Sequence, residues 1–340
     1  MSSCGLVDRR PFDICVGGHT VCADCAIEFS ERSKSAKCPA CAADLLPVPT
    51  LNKDLLDIIE RSVAEKVAEM SIEELELDQK PFVQGEFSRL HYAKWACEEK
   101  DVVIKIIEAH SDAEKQKIRG GIDVVDGLRH SNVVRIIGVA CVDKTHVGIV
   151  MEKAEHGSLD KWIGHIDDDT RLTKLALGIV EGLVYLHCNR VMHRDIKPDN
   201  ILVCGPRNRM YPKIGNFISS KVLIVNEPQT EIGSNIYIAP EIASFCHYGF
   251  PADVFSLTVT LFEMFNGQMF RDAPKDVIRV IFSVKAGRNV KMPSCCRLPI
   301  CLQSLIERGW DRNQLERPAL SEYGATLKTM IETRAFQSAM

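Results

Sequence analysis

The chain has 340 residues, of which 46% are hydrophobic and 26% are charged, and its formal net charge at pH 7 is −4. This composition is typical of a globular protein with one large domain and one small one, and the absence of a basic excess argues against a general affinity for nucleic acid. No apolar run approaches the roughly 18 residues that span a bilayer, and the first ten residues lack the apolar core of a signal peptide. We therefore expect a cytoplasmic protein that does not insert into membranes.

Cysteine is concentrated at the start of the chain. Six of the fourteen cysteines fall within the first 41 residues, beside a histidine, and two Cys-x-x-Cys pairs are among them. Paired soft ligands on tight turns suit the tetrahedral geometry of Zn²⁺, and without an export signal zinc is favoured over disulfides. The candidate ligands are Cys4, Cys15, His19, Cys22, Cys25, Cys38 and Cys41.

The order of these ligands over residues 1–45 resembles a RING finger. The resemblance implies one complete site formed by Cys15, His19, Cys38 and Cys41, and a second formed by Cys4, Cys22 and Cys25. The first ligand of the second site is missing, because Met1 stands where the pattern requires a cysteine. Ser2, Ser3 and Ala42 replace side chains that RING ubiquitin ligases commonly use, which counts against ligase activity.

Residues 46–80 are predicted to form an acidic helical linker. From Asp54 to Glu76, apolar residues recur at helical spacing, and acidic residues occupy the opposite face. The apolar positions are Leu55, Ile58, Ile59, Val63, Val67 and Met70.

The segment 81–334 changes from strand-like to helical patterns. Short apolar runs around residues 87–93, 102–107, 133–137 and 147–151 indicate strands. Longer periodic segments at 170–188, 251–266, 273–286 and 299–309 indicate helices. The fold class predicted for this segment is therefore α+β in two parts, preceded by the small zinc-binding module and followed by a tail at 335–340.

The most specific motif of the chain lies between Val191 and Asn200. His193-Arg194-Asp195 with Lys197 and Asn200 matches the catalytic loop of protein kinases, and Val102-Val103-Ile104-Lys105 matches their lysine strand. The segment thus resembles a protein kinase of the Ser/Thr or tyrosine-kinase-like type, with a β-rich N-terminal lobe and a helical C-terminal lobe.

The resemblance assigns a role to each of these residues. Asp195 would orient the substrate hydroxyl, Lys197 would steady the transferred phosphoryl group, and Asn200 would hold Mg²⁺. Two further matches are scaffold residues: Glu241, expected to pair with Arg317, and Asp253, expected to brace the catalytic loop. The resemblance also implies an ATP site formed by Val83, Gly85, Leu90, Val103, Lys105, Met151, Glu152, Ala154, Leu202 and Asn216.

Three parts that touch ATP or its metal depart from the kinase pattern. Asn216-Phe217-Ile218 stands where kinases have Asp-Phe-Gly, and an amide binds Mg²⁺ more weakly than a carboxylate. Gly85 is the one glycine left in the phosphate-binding loop. Gly121 occupies the helix position of the glutamate that pairs with Lys105, leaving Glu114 or Asp123 as substitutes if that helix shifts.

These observations support three hypotheses about function. The first is a signalling protein whose kinase fold is a pseudokinase or a weakly active kinase that serves as a scaffold or substrate adaptor. The second is an active ATP-dependent Ser/Thr protein kinase. The third is a RING-type ubiquitin ligase that recognises protein substrates through the kinase fold and binds a ubiquitin-conjugating enzyme. Residues Ser219, Ser220, Thr230 and Ser234 are candidate phosphosites.

Overall fold

The computed structural model describes residues 67–85, 88–217, 236–243, 249–269 and 298–333, and the backbone of three short strand segments at 11–13, 20–22 and 221–222. The chain divides into two compact units, Met1–Glu65 and Lys66–Met340.

In the first unit, a short antiparallel hairpin is described. Strand β1 (Pro11–Asp13) pairs with strand β2 (Thr20–Cys22), and Phe12 lies opposite Val21. The predicted zinc ligands Cys4, Cys15, His19, Cys25, Cys38 and Cys41 lie outside the described residues, and only the backbone of Cys22 is described.

The second unit begins with a twisted sheet. Its strands are β3 (Ala68–Ser71), β4 (Leu75–Leu77), β5 (Val83–Gln84), β6 (Ser88–Trp95), β7 (Lys100–Glu108), β8 (Ile136–Asp143) and β9 (His146–Glu152). The order is β3-β8-β9-β7-β6-β4, and β5 also pairs with β6. Pairing is antiparallel except between β3 and β8.

The prediction of a helix from Asp54 to Glu76 is wrong for the part that the structure describes. Residues 68–71 and 75–77 are strands of the sheet, and Ile72–Glu74 is a single 3₁₀ turn. Met70 and Leu75 are buried in the core under the sheet. The open edges of β8 and β6 pair with these residues, so that strand pairing in the sheet prevails over the helical spacing. Residues 54–66 lie outside the described ranges.

One helix packs against this sheet. Helix α1 (Asp112–Asp123) begins with a capping box. The Ser111 side chain accepts a hydrogen bond from the backbone N–H of Glu114, and the Glu114 carboxylate accepts one from the backbone N–H of Ser111. Ile118 and Ile122 are its buried apolar residues. Arg119 of this helix forms an ion pair with Glu69 at 2.5 Å, which connects the helix to strand β3.

The remainder of the second unit is mainly helical. The described helices are α2 (Asp169–Cys188), α3 (Pro240–Ala243), α4 (Pro251–Asn266), α5 (Ile300–Gly309) and α6 (Leu320–Thr333). The strands are β10 (Val191–Met192), β11 (Ile201–Cys204), β12 (Tyr211–Ile214) and β13 (Lys221–Val222). β10 pairs with β13 and β11 with β12, and the 3₁₀ turns are Leu159–Lys161, Pro198–Asn200 and Gln314–Glu316.

Helices α2 and α4 form the centre of the large core. α4 is buried on every side. It begins at Pro251 and is capped after Asn266 by Gly267, whose φ of 70° is the left-handed conformation that glycine adopts readily. The predicted helices at 170–188, 251–266 and 299–309 are confirmed, and the one at 273–286 lies outside the described residues. The α+β arrangement of a strand-rich lobe followed by a helical lobe is confirmed.

Within the described ranges, no helix combines the length and the apolar character needed to cross a bilayer.

Candidate active site

A buried aspartate anchors the loop between β10 and β11. Asp253 of α4 is fully buried, and its carboxylate accepts hydrogen bonds from the backbone N–H groups of His193 at 2.9 Å and Arg194 at 2.8 Å. Burial alone would raise the pKa of Asp253, but the bonds from His187 and the His193 backbone outweigh it and hold the pKa below its usual value. The predicted bracing role of Asp253 therefore has a direct geometric basis.

His193 connects this loop to the segment that follows β12. Its Nε2 donates to the carbonyl of Gly215 at 2.8 Å, and its Nδ1 accepts from the N–H of Asp195 at 3.3 Å. Its ring meets that of Phe217 edge-on at 5.3 Å. Complete burial lowers the pKa of His193, so the ring is held neutral, with both nitrogens engaged.

A continuous chain of polar side chains runs between the two lobes. Lys105 Nζ donates to Asn216 Oδ1 at 3.0 Å, and Asn216 Nδ2 donates to Asn200 Oδ1 at 2.9 Å. Asn200 Nδ2 then donates to Asp195 Oδ2 at 2.7 Å, and Lys197 Nζ lies 3.1 Å from the same oxygen. The structure thus brings together all five residues that the sequence assigned to phosphoryl transfer and metal binding.

Asn216 occupies the centre of this chain in an unusual backbone conformation. Its φ is 64°, in the left-handed region, which asparagine and aspartate tolerate better than most residues. Its amide both accepts a bond and donates one. An aspartate at this position has no proton with which to reach the Asn200 carbonyl oxygen, so the chain depends on the amide.

Lys105 lacks an ion-pair partner among the described residues, where its hydrogen bond is to Asn216. Burial lowers the pKa of Lys105, and the charge of Asp195 opposes that shift without cancelling it. Gly121 of α1 is buried and carries no carboxylate, and Glu114 is occupied in capping the N-terminus of its own helix. Glu114 therefore does not substitute for the missing glutamate in this arrangement, and no bond from Asp123 to Lys105 is found in the described part of the chain.

The donor set does not fit Mg²⁺ well. The two oxygens that the kinase pattern assigns to the metal are neutral amide oxygens, and each already accepts a hydrogen bond. One of these bonds comes from the Lys105 ammonium, whose positive charge opposes a cation at the same oxygen. Mg²⁺ binds through carboxylates and phosphates and gives up its water reluctantly, so these side chains are a poor site for it.

A cavity of about 380 Å³ adjoins this chain. Its walls include Lys105, Asn200 and Asn216 at one end and apolar residues at the other. Of the predicted nucleotide-site residues, Val83, Leu90, Val103, Met151, Glu152, Ala154 and Leu202 all line it. The volume lies within the usual range for small-molecule sites.

Gly85 is not on the wall of this cavity. Its backbone N–H donates to the carbonyl of Ser88 at 2.8 Å and closes the turn between β5 and β6. A phosphate-binding loop presents free backbone N–H groups to the ligand, and this one is used internally.

Sequence reasoning missed two aromatic residues that the structure places in the cavity wall. Phe82 and Tyr92 stack with ring centroids 4.0 Å apart and planes 13° from parallel. The strand register explains this stacking. Val83 of β5 pairs with Leu90 of β6, which brings Phe82, directly before β5, beside Tyr92. The alternation Leu90–Tyr92 along β6 was the available signal. Gly157, Ser158, Asp160, Lys161, Asp199 and Gly215 also line the cavity.

The expected ion pair between Arg317 and Glu241 is formed. Two bonds of 2.6 and 2.7 Å join the guanidinium to the carboxylate, and both side chains are buried. The guanidinium also donates to the carbonyl of Pro251 and lies 5.2 Å from the Phe255 ring centroid. This pair fixes the start of α3 and α4 below the catalytic loop.

Within the ranges that the structure describes, no group of three or more His, Cys, Asp or Glu side chains is arranged to hold a metal ion. Ile218 and the candidate phosphosites Ser219, Ser220, Thr230 and Ser234 lie outside those ranges.

The two-lobed fold, with a lysine strand, a braced Asp195 loop and a cavity between them, defines the class of protein kinases and their relatives. The family model described as protein kinase domain matches residues 79–326, and the chain belongs to this family.

Similar proteins include one named as a serine/threonine-protein kinase and one named as an inactive tyrosine-protein kinase. Serine/threonine-protein kinase STY46 of Arabidopsis thaliana is 30% identical over 264 residues, which are 75% of this chain and 44% of that protein. Inactive tyrosine-protein kinase kin-32 of Caenorhabditis elegans is 28% identical over 256 residues, 72% of this chain and 29% of that protein. The chain thus spans less than half the length of these relatives.

Proposed function

We propose that the kinase domain acts mainly as a pseudokinase, or a weakly active kinase, that binds signalling partners or protein substrates as a scaffold. The observation that carries this proposal is the bond from Asn216 to Asn200, which joins the two side chains assigned to the metal. The Lys105 ammonium on the Asn216 oxygen adds to it. Phosphoryl transfer depends on metal ions that neutralise the developing charge, and this site disfavours them.

The distribution of intact and altered parts points the same way. The groups that maintain the fold, namely the Arg317–Glu241 pair and the Asp253 brace, are present with short bonds. The altered parts are the metal position at Asn216, the phosphate-binding loop at Gly85, and Gly121, where kinases have the glutamate that pairs with the phosphate-binding lysine. A domain that keeps its architecture but loses its phosphate-handling groups is suited to binding rather than to turnover.

An active Ser/Thr kinase is the second candidate, because Asp195, Lys197 and Asn200 lie together in a compact arrangement. The two candidates differ in one measurable property, which is transfer of phosphate from ATP. The test is ATP turnover by the full chain with Mg²⁺ and with Mn²⁺, compared with the variant Asp195→Asn. Turnover that disappears in the variant would establish the active kinase, whereas turnover equal in both proteins would support the pseudokinase.

For residues 1–45, zinc binding is the accompanying proposal, and the spacing of the cysteines and His19 supports it. Native mass spectrometry of the full chain is the test. A mass increase of bound zinc that is lost in Cys38→Ser supports it, and free thiols at Cys15, Cys38 and Cys41 refute it.

A ubiquitin-ligase activity with a ubiquitin-conjugating enzyme as partner would depend on that zinc module. Its support is the same cysteine pattern, and its test is ubiquitin chain formation with and without Cys38→Ser. Cytoplasmic localisation completes the proposal and is tested by imaging of the tagged full chain.

A further inference from the structure

Outside the polar chain, the cavity keeps the features that recognise a planar ring. Its walls are largely apolar around Val83, Leu90, Val103, Met151 and Leu202. Flat heteroaromatic ligands gain most of their binding energy from contacts of this kind, with a few polar groups to set orientation. One end of the cavity is therefore well suited to a nucleobase.

The backbone at Ala154 can provide that orientation. Ala154 lines the cavity directly after β9, and in the described residues no hydrogen bond is found for its peptide N–H or carbonyl. Each residue carries one backbone donor and one backbone acceptor, so the N–H and carbonyl of Ala154 can pair with the acceptor and donor groups on the edge of a purine.

The stacked pair Phe82–Tyr92 forms an aromatic wall at the mouth of the cavity. The two rings are 42% and 36% exposed, so their faces and edges are accessible to a ligand. Two contacts hold Tyr92 in place: Phe82 at 4.0 Å and the Lys153 ammonium 5.1 Å from its ring centroid. Lys153 is itself tied to Asp101 at 3.0 Å. An aromatic surface held in this way favours stacking of another ring.

The opposite end of the cavity is poorly equipped for phosphate. Gly85 uses its N–H within the turn, and the Lys105 ammonium is bound to Asn216. The cation of Lys197 lies on the Asp195 carboxylate. Besides Lys105, the charged side chains of the lining are Glu152, Asp160, Asp199 and Lys161, of which three are acidic.

We propose that this cavity is a nucleoside site, which binds a purine nucleoside through its base and sugar with no gain from phosphate groups or a divalent cation. Phe82 and Tyr92 provide the specificity for a stacked ring. This inference rests on the proposed function, because a working kinase requires the phosphates and the metal.

The test is isothermal calorimetry of the full chain with adenosine, AMP, ADP and ATP, each with and without Mg²⁺. We expect adenosine and ATP to bind within about threefold of each other, because the base and the sugar supply the shared contacts. We also expect Mg²⁺ to change neither affinity. An affinity for ATP that exceeds that for adenosine tenfold or more, a requirement for Mg²⁺, or no binding of adenosine would overturn the inference.

Two variants test the aromatic wall. Phe82→Ala and Tyr92→Ala are each expected to weaken adenosine binding by about tenfold, since each removes the stacking surface. Tyr211→Ala is the matched control, because Tyr211 is 39% exposed and does not line the cavity. Losses of adenosine affinity in the two variants that are no larger than in the control would contradict the assignment of the aromatic wall. The ligand series with the unmodified chain does not depend on the folding of any variant.

The two proposals fail in different ways. Robust phosphate transfer that depends on Asp195 would overturn the proposed function. Absence of adenosine binding, in a chain that also shows no such transfer, would overturn the nucleoside site alone.

Discussion

Replacing Asn216 with aspartate is expected to create a Mg²⁺ response that the natural chain lacks. Asparagine at this position donates to Asn200 Oδ1 at 2.9 Å and accepts from Lys105 at 3.0 Å. Aspartate keeps the second bond and strengthens it by about 1 kcal/mol, because the Lys105 ammonium then meets a carboxylate instead of a neutral amide oxygen. It loses the first bond, because a carboxylate oxygen then faces Asn200 Oδ1 and the two oxygens repel each other.

The two changes nearly offset each other in the absence of metal. The bond gained and the bond lost differ by about 1 kcal/mol, so the melting temperature of Asn216→Asp without ligand should shift by no more than about 2–4 °C. The left-handed φ of 64° does not penalise the change, since aspartate tolerates this region as asparagine does.

Added Mg²⁺ and ATP should then stabilise the variant. A cation between the carboxylate and the Asn200 oxygen replaces the repulsion with two favourable contacts, of the kind that Mg²⁺ requires. Ligand at about 100 times its dissociation constant adds about 2.7 kcal/mol, which corresponds to a rise of about 5–10 °C in melting temperature for a domain of this size. The assay is differential scanning fluorimetry with ATP, with and without Mg²⁺.

The control is Asn313→Asp, which adds the same charge at an exposed turn. Asn313 accepts a capping bond from the N–H of Leu315 at 3.2 Å, and aspartate caps equally well. The control and the natural chain should show no Mg²⁺-dependent shift. A shift of equal size in the natural chain, or none in Asn216→Asp, would refute the conclusion that the amide excludes the metal.

Three further outcomes are expected. Arg317→Ala should lower the free energy of unfolding by about 3–5 kcal/mol in urea titrations, because it leaves the buried Glu241 carboxylate unpaired; a loss below about 1 kcal/mol would contradict this. Glu69→Gln should lower the free energy of unfolding by less than about 1 kcal/mol, since the ion pair of Glu69 with Arg119 is exposed. Amide hydrogen exchange in helix α1 should nevertheless accelerate. Unchanged exchange would show that β3 does not hold the helix. The pKa of His193 is lowered in the folded protein, so the unfolded state binds the proton more tightly. The free energy of unfolding should therefore fall as the pH drops below about 6.5, by up to about 1.4 kcal/mol per pH unit. Urea titrations at successive pH values that show no such fall would contradict a neutral buried ring.

Motifs with fixed spacing could be predicted from the sequence. The segment from His193 to Asn200 identified the catalytic loop, and Glu241, Asp253 and Arg317 were found because their spacing along the chain is typical of the family. The long helices were also predictable, because periodic apolar residues over 16 to 20 positions leave little ambiguity.

Features that depend on contacts between distant segments were not predictable. Residues 68–77 have a helical pattern, but residues 68–71 pair with β8 and residues 75–77 pair with β6, and no local signal reveals those strand edges. The aromatic wall depends on the register between β5 and β6, which places Phe82 against Tyr92. The bond between Asn216 and Asn200 joins residues 16 positions apart, and the sequence indicated weak metal binding there but not the amide pair that causes it.

The central proposal is that the hydrogen-bonded amide groups of Asn216 and Asn200 disfavour the metal of a kinase, so that the domain binds partners and transfers phosphate weakly or not at all. The most direct measurement is transfer of radioactive phosphate from ATP by the purified full chain to itself and to a generic protein substrate, beside Asp195→Asn. We expect incorporation in the natural chain to equal that in the variant. Incorporation well above the variant in the presence of Mg²⁺ would contradict the conclusion.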